Sequence, residues 1–193
     1  MSKGRQTRRN IVARAIGVAS TLGLEKVTIG NLARDMSMSK SGLFAHFKSK
    51  EQLQLAILQE AAERFVEIVV SPALMQPRGE PRIRALFENW CNWINSLPGG
   101  CVFLKAASEV DDFPGPLRKY LVQTQRDWVD TLAGAGRIAT EEGHFRSDLD
   151  CTQFAYEAQG IFCAHQIFGR LLGDKSAGDR LRIAYESLIA RSR

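Results

Sequence analysis

The stretch Thr28-Ile29-Gly30-Asn31-Leu32-Ala33-Arg34, followed three residues later by Met38-Ser39-Lys40-Ser41-Gly42-Leu43-Phe44-Ala45-His46-Phe47-Lys48-Ser49-Lys50-Glu51-Gln52-Leu53, decides the fold. Hydroxyl residues at positions 28, 39 and 49 each precede a helix-compatible run, where a side-chain oxygen accepts a backbone N–H that the first helical turn leaves unpaired. Thr28 is read as the cap of a short helix to about Asp35, Ser39 as the cap of another to about Ala45, and Ser49 as the cap of a long one. Ile29, Leu32 and Ala33 supply the inward face of the first helix, and Leu43, Phe44 and Phe47 that of the second. Lys40, Ser41, Gly42, Ala45 and His46 are left facing outward. Two short helices in tight succession, the second carrying small and polar groups at its N-terminal end, describe a helix-turn-helix that reads the major groove of double-stranded DNA.

Upstream, Ile11, Ala15, Val18 and Leu22 fall on one helical face, so a helix spans about Thr7 to Leu22 and Gly23 stops it. Arg5, Arg8 and Arg9 are expected as an arm following the DNA backbone. The helix N-termini at Thr28 and Ser49 offer N–H groups and positive dipole ends to phosphate oxygens, and Lys48 and Lys50 add full charges beside the second. Downstream, three prolines and a glycine between Ser71 and Pro81 end the connecting helix. Ile83, Leu86, Trp90, Trp93 and Leu97 trace another helical stripe, which Pro98-Gly99-Gly100 breaks. A short helix from Cys101 to about Val110 follows, then a long one from Leu117 to Ala139 whose last third Gly134 and Gly136 weaken. Two more run from about Cys151 to Leu172 and from about Ala177 to Ala190. With no β-hairpin signal and no repeat, the expected fold class is all-α.

Charge divides the chain in the same place. Residues 1–50 hold ten Lys/Arg against Glu25 and Asp35, a net +8, while residues 51–193 hold 16 basic and 19 acidic groups, a net −3. Only the first segment is suited to a polyanion. A composition 45% hydrophobic and 24% charged fits neither disorder nor a fibrous chain. No run of eighteen apolar residues and no signal peptide is present, so the expectation is a cytoplasmic protein with no membrane partner. Cys91, Cys101, Cys151 and Cys163 are widely spaced, as reduced thiols are.

The quoted stretch resembles the DNA-binding signature of the TetR family of transcriptional regulators. The resemblance implies about nine helices: an N-terminal three-helix DNA-binding domain, residues 1–50, joined by a helix over 50–70 to an effector-binding and dimerisation domain within 51–193. It implies Lys40, Ser41, Gly42 and His46 directed toward bases, with Thr28, Phe44 and Lys50 at positions that touch phosphates; Ser39, Lys48, Arg5 and Arg8 complete the expected DNA-binding set. Two residues depart from the pattern. Phe44 stands where Tyr is usual, so a hydroxyl contact with the backbone is missing and only ring packing remains. Ser37 stands where the turn Gly is usual and accepts strain if its φ is positive. Gly99-Gly100-Cys101-Val102-Phe103 and the run Glu109 to Arg118 resemble a C-terminal subtype of the same family.

By this resemblance the body carries a small hydrophobic or aromatic effector, and the expected contacts are Trp90, Trp93, Phe103, Trp128, Phe162 and His165; aromatic stripes at helical spacing are also the makeup of a plain core. A homodimer is expected through the last two helices. Phe154, Ala158, Ile161 and Phe168 on one and Leu181, Tyr185 and Leu188 on the next would form a four-helix bundle across a two-fold axis, with Gly160 and Ala164 permitting close approach. Such a dimer would bind a palindromic operator with half-sites roughly 34–36 Å apart and release it on binding the effector. No cofactor or metal is expected: Asp111 and Asp112 serve as a cap or pair with Arg118, and adjacent acids without His or Cys make a poor metal site. An enzyme using Cys101 or Cys163 with His144 or His165 has no nucleophile elbow, metal motif or phosphate loop to support it. Control by a partner protein or by thiol redox is the alternative to a small ligand.

Overall fold

The three expected caps form in the computed structural model, which describes residues 3–110, 112 and 114–193, Lys3 by its backbone alone. Thr28 Oγ1 accepts the Asn31 N–H at 3.1 Å, Ser39 Oγ that of Gly42 at 3.0 Å and Ser49 Oγ that of Gln52 at 3.1 Å. These caps open α2 (Ile29–Asp35), α3 (Lys40–His46) and α4 (Lys50–Phe65); α1 (Lys3–Leu22) precedes them. Five residues in π-helical geometry, Val66–Val70, carry α4 directly into α5 (Ser71–Leu74). Then come α6 (Glu80–Ser96), α7 (Val102–Val110), α8 (Pro116–Glu141), α9 (Cys151–Gln166) with a second π segment Ile167–Leu171, and α10 (Ala177–Ser192). Counting helices that run on without a break as one, the described residues form nine rods and no strand. Asp111, expected as a cap or as a partner of Arg118, lies outside the described residues, as does Phe113.

The chain gathers into two compact units, Met1–Ile68 with Cys91–Thr124, and Val69–Trp90 with Gln125–Arg193. In the first, α1 lays Ile11, Val12, Ala15, Ile16 and Ala19 against Leu53, Ile57, Leu58 and Ala61 of α4, all buried. Phe65, Trp93 and Phe103 extend this core: Phe65 meets Trp93 edge-on at 5.6 Å and Phe103 edge-on at 6.1 Å. Gly23 ends α1 with φ +94°, and the Lys105 ammonium donates to the last-turn carbonyls of Ser20 (3.1 Å) and Thr21 (2.6 Å), the favoured place for a cation at a helix C-terminus. The loop after α6 presses on the same turn: a Cβ on Gly99 would lie 1.6 Å from the Ser20 carbonyl oxygen, so only glycine fits.

In the second unit, α9 and α10 pack lengthwise, and the core is aromatic. Trp90 stacks on Phe162 at 3.5 Å and meets Trp128 edge-on at 4.8 Å; Phe87 stacks on Tyr185 at 3.6 Å. A charge network closes one side: Glu80 accepts from Arg84 (2.8 Å) and Arg193 (2.6 Å), and Arg84 also grips Glu186 (2.7 Å). Those guanidinium hydrogen bonds hold the Glu80 and Glu186 carboxyls below the usual carboxylate range. Helix α8 runs through Gly134 and Gly136 unbroken, and a Cβ on Gly136 would be in ordinary contact with Cys151 and Phe154.

Candidate nucleic-acid interface

The geometry of the α2–α3 corner follows from its backbone. After Asp35 the chain turns through Ser37 at φ +53°, the one positive φ among the described residues other than glycine. The Met38 N–H donates to Ala33 O (2.8 Å) and the Ser37 N–H to Arg34 O (3.2 Å), the paired hydrogen bonds of a Schellman turn with serine where glycine is preferred. This turn sets α3 against α2, with Leu32, Ala33, Leu43 and Phe47 buried beneath them. Arg14 fastens α2 to α1 through Asp35 at 2.9 Å, which lowers the Asp35 carboxyl's pKa.

Lys40, Ser41 and Ala45 are exposed on α3, and Gly42 and His46 are partly so. The aliphatic end of Lys40 lies beside Gly30, and the Ser39 and Ser41 hydroxyls are 3.2 Å apart. Phe44 corrects the sequence reading: expected inward, it is 52% exposed. Phe47 sits beyond the last helical turn with extended backbone (φ −139°), so the chain's bend carries its ring inward, and the inward stripe of α3 needs only Leu43. Phe44 is left on the outer face with Lys40 and Ser41.

The arginines correct a second expectation. Since α1 begins at Lys3, Arg5, Arg8 and Arg9 belong to a helix and not to an extended arm. The Arg8 guanidinium lies 4.9 Å from the centre of the Phe47 ring. Lys48 is exposed beside the Ser49 cap. Lys50, the first residue of α4, donates to the Glu25 carboxylate, and this hydrogen bond draws the Glu25 pKa down. The Glu25–Lys50 pairing carried no sequence signal, because it joins residues 25 positions apart.

The residues expected at an effector are split between the two units. Trp93 and Phe103 pack with Phe65 in the first; Trp90, Trp128 and Phe162 pack together in the second, and all five are buried. The Trp128 indole N–H donates to Gln159 Oε1 at 3.2 Å. The Trp93 indole N–H and the Tyr185 hydroxyl are buried without a hydrogen-bond partner. His165 Nδ1 lies 3.2 Å from Ala177 O, and His144 Nδ1 accepts the Glu80 N–H at 3.1 Å, so one nitrogen of each ring is spent on backbone. Cys101 is buried, and burial pushes the Cys163 thiol up, away from the reactive thiolate.

Of the residues expected at a dimer interface, Phe154, Ala158, Tyr185, Leu188 and Leu181 are buried within the protomer. Ile161, Phe168 and Leu181 line an open apolar groove of about 610 Å³ along α9 and α10, together with Gly160, Ala164 and Ala184. Tyr156 (73% exposed), Ile167, Leu171 (80%) and Ile183 (68%) stand out on the same two helices and the π segment. Among the described residues no helix is long and apolar enough to cross a membrane, and no three His, Cys, Asp or Glu side chains converge as metal ligands would.

Residues 11–57 match the model of bacterial regulatory proteins of the tetR family, and residues 79–185 match that of the tetracyclin repressor-like C-terminal domain. Solved structures are similar over nearly the whole chain. A TetR transcriptional regulator from Chloroflexus aurantiacus is 26% identical with a TM-score of 0.85, over 98% of this chain and 96% of that one. AibR, solved with isovaleryl coenzyme A and operator DNA, is 23% identical with a TM-score of 0.74, over 94% and 95% of the two chains. A transcriptional regulator from Saccharomonospora viridis, solved with choline, is 20% identical with a TM-score of 0.78 over the same shares. No curated protein sequence matches the chain.

Proposed function

The chain belongs to the TetR family of DNA-binding transcriptional regulators, and from that premise we propose that it is a homodimeric repressor released from a palindromic operator by a small apolar effector. The observation that carries the reading is α3: a Ser39-capped helix on a buried Leu43 footing that turns Lys40, Ser41 and His46 outward, in the strongly basic segment of the chain. Residues 1–50 recognise DNA, with Lys40, Ser41, Gly42 and His46 reading bases. Thr28, Phe44, Lys48, Lys50, Arg5 and Arg8 hold the sugar-phosphate strands. Residues 51–193 dimerise and bind the effector.

The dimer forms on the groove of α9 and α10, where Gly160, Ala164 and Ala184 let a second copy's helices approach and the exposed Tyr156, Ile167, Leu171 and Ile183 find cover. Arg180 and Arg191 with Glu157 supply a charged rim. The effector is mainly apolar and accepts a hydrogen bond, since the Tyr185 hydroxyl of the second unit is a buried donor with nothing to donate to. Its contacts come from the second unit: Trp90, Trp128, Phe162 and His165. Regulators of this fold have been solved with isovaleryl coenzyme A and with choline, in keeping with a small organic ligand. The raised Cys163 pKa and the buried Cys101 favour a ligand over thiol redox.

Footprinting of the purified protein on the DNA flanking its own gene tests the reading. A protected inverted repeat is expected, with K40A and H46A shifting sequence preference while K48A weakens binding to all duplexes alike. Failure to bind any duplex at low ionic strength refutes it. G160R, placed where an added side chain meets open space within the protomer, should yield a folded monomer by light scattering; a dimer that survives this change would move the interface elsewhere.

A further inference from the structure

We propose that Glu25 is an internal counterion that holds Lys50 in the free protein and that the DNA backbone must displace, so that this one carboxylate lowers the affinity of the interface. The inference rests on the DNA-binding reading above.

Segment 1–50 holds only two acids among ten cations. Asp35 is tied to Arg14 on the outside of α1 and α2. Glu25 faces side chains of the first two turns of α4, a 16-residue helix capped by Ser49, with its carboxylate against the ammonium of the helix's first residue. A carboxylate oxygen against this lysine stands where a phosphate oxygen would, and Glu25 supplies it from within the chain.

The position of Glu25 is fixed from both sides. Its backbone N–H donates to Glu109 Oε2 at 2.8 Å. Gln54, buried on the second turn of α4, donates through Nε2 to Leu24 O at 3.0 Å and reaches Glu25 Oε2 at 3.5 Å. The missing side chain of Gly23 makes room for the Glu109 carboxylate, since a Cβ there would lie 1.9 Å from Glu109 Oε1. The carboxylate itself stays in solvent, its side chain 70% exposed against 39% for Lys50. An incoming phosphate can therefore reach the pair, and when it takes Lys50 the anchored Glu25 stays close by as an unpaired like charge. Both the broken pair and the repulsion lower affinity.

The test uses the full-length protein and a fluorescein-labelled duplex of mixed sequence, with anisotropy read across a salt series for wild type, E25Q, K50Q and E25Q/K50Q. Glutamine keeps the acceptor that meets Lys50 and Gln54 but removes the charge, and thermal melts confirm that the variants fold. E25Q should bind about two- to fivefold tighter at low salt, a fold-change of roughly 0.4–1 kcal/mol that lies within the range of an exposed ion pair. K50Q should bind more weakly, and E25Q/K50Q no more tightly than K50Q. Unchanged affinity in E25Q overturns the proposal, as does an equal gain in the K50Q background, which would mark a long-range charge effect independent of Lys50. In either case, wild-type binding that weakens in K50Q leaves the DNA-binding reading standing. No binding by any of the four proteins overturns both.

Discussion

Replacing Phe162 by alanine distinguishes an aromatic core from a preformed ligand cavity. The side chain is 1% exposed, stacks on Trp90 at 3.5 Å and meets Phe87 edge-on at 5.3 Å. Truncating a fully packed phenylalanine to alanine costs about 3–5 kcal/mol in transfer and cavity terms. Each aromatic pairing lost adds about 0.5–1.5 kcal/mol beyond area. A domain pair of this size loses roughly 2–4 °C in melting temperature per kcal/mol, so Phe162→Ala should melt at least about 6 °C below wild type. In urea the midpoint should fall at unchanged slope, because the surface exposed on unfolding barely alters. A loss under about 1 kcal/mol would refute the reasoning. It would mean that Phe162 already borders empty space and that the effector site is open before ligand arrives.

Three further outcomes follow from particular contacts. Ser37→Gly should stabilise the protein by up to about 1 kcal/mol in thermal melts, since glycine removes a left-handed strain of about 1–2 kcal/mol and returns part of it as unfolded-state entropy. Ser39→Ala removes the oxygen that accepts the Gly42 N–H and should cost about 1 kcal/mol of local stability, read as faster amide exchange in α3 and weaker duplex binding. Glu80→Gln should lower stability at pH 7 by about 1–2 kcal/mol, because Glu80 is the shared acceptor of Arg84 and Arg193. The Glu80 and Glu186 carboxyls are depressed in the folded state, so their stabilisation is present above the ordinary glutamate value of 4.5 and is lost as pH falls below it. Denaturation midpoints measured from pH 7 to pH 3 should therefore fall less steeply in Glu80→Gln than in wild type.

What could be read from sequence was local. Thr28, Ser39 and Ser49 announced their helices because a cap lies within three residues of the N–H it satisfies, whereas the strain at Ser37 was legible only through the family resemblance, as a serine where the turn glycine is usual. Phe44 and Phe47 were indistinguishable by spacing, since the bend that separates them begins only where α3 ends. The π segments at Val66–Val70 and Ile167–Leu171 left no trace in the apolar pattern, and neither did the four residues of α1 ahead of Thr7. On α9 and α10, periodicity marked the apolar residues without telling which stripe the protomer itself would cover: Phe154, Ala158, Tyr185 and Leu188 are inside, while Tyr156 and Ile183 remain outside. The Glu25–Lys50 and Lys105–Ser20 contacts depend on long-range packing and were invisible.

The approach of Gly99 to Ser20 makes that position a gauge. Backbone faces backbone there, so no rotamer can relieve an added methyl group, and alanine would act as a wedge of known size driven between the last turn of α1 and the connection from α6 to α7. Whatever such a wedge does to DNA affinity reports the mechanical leverage of that connection on the N-terminal helices, without any ligand being added.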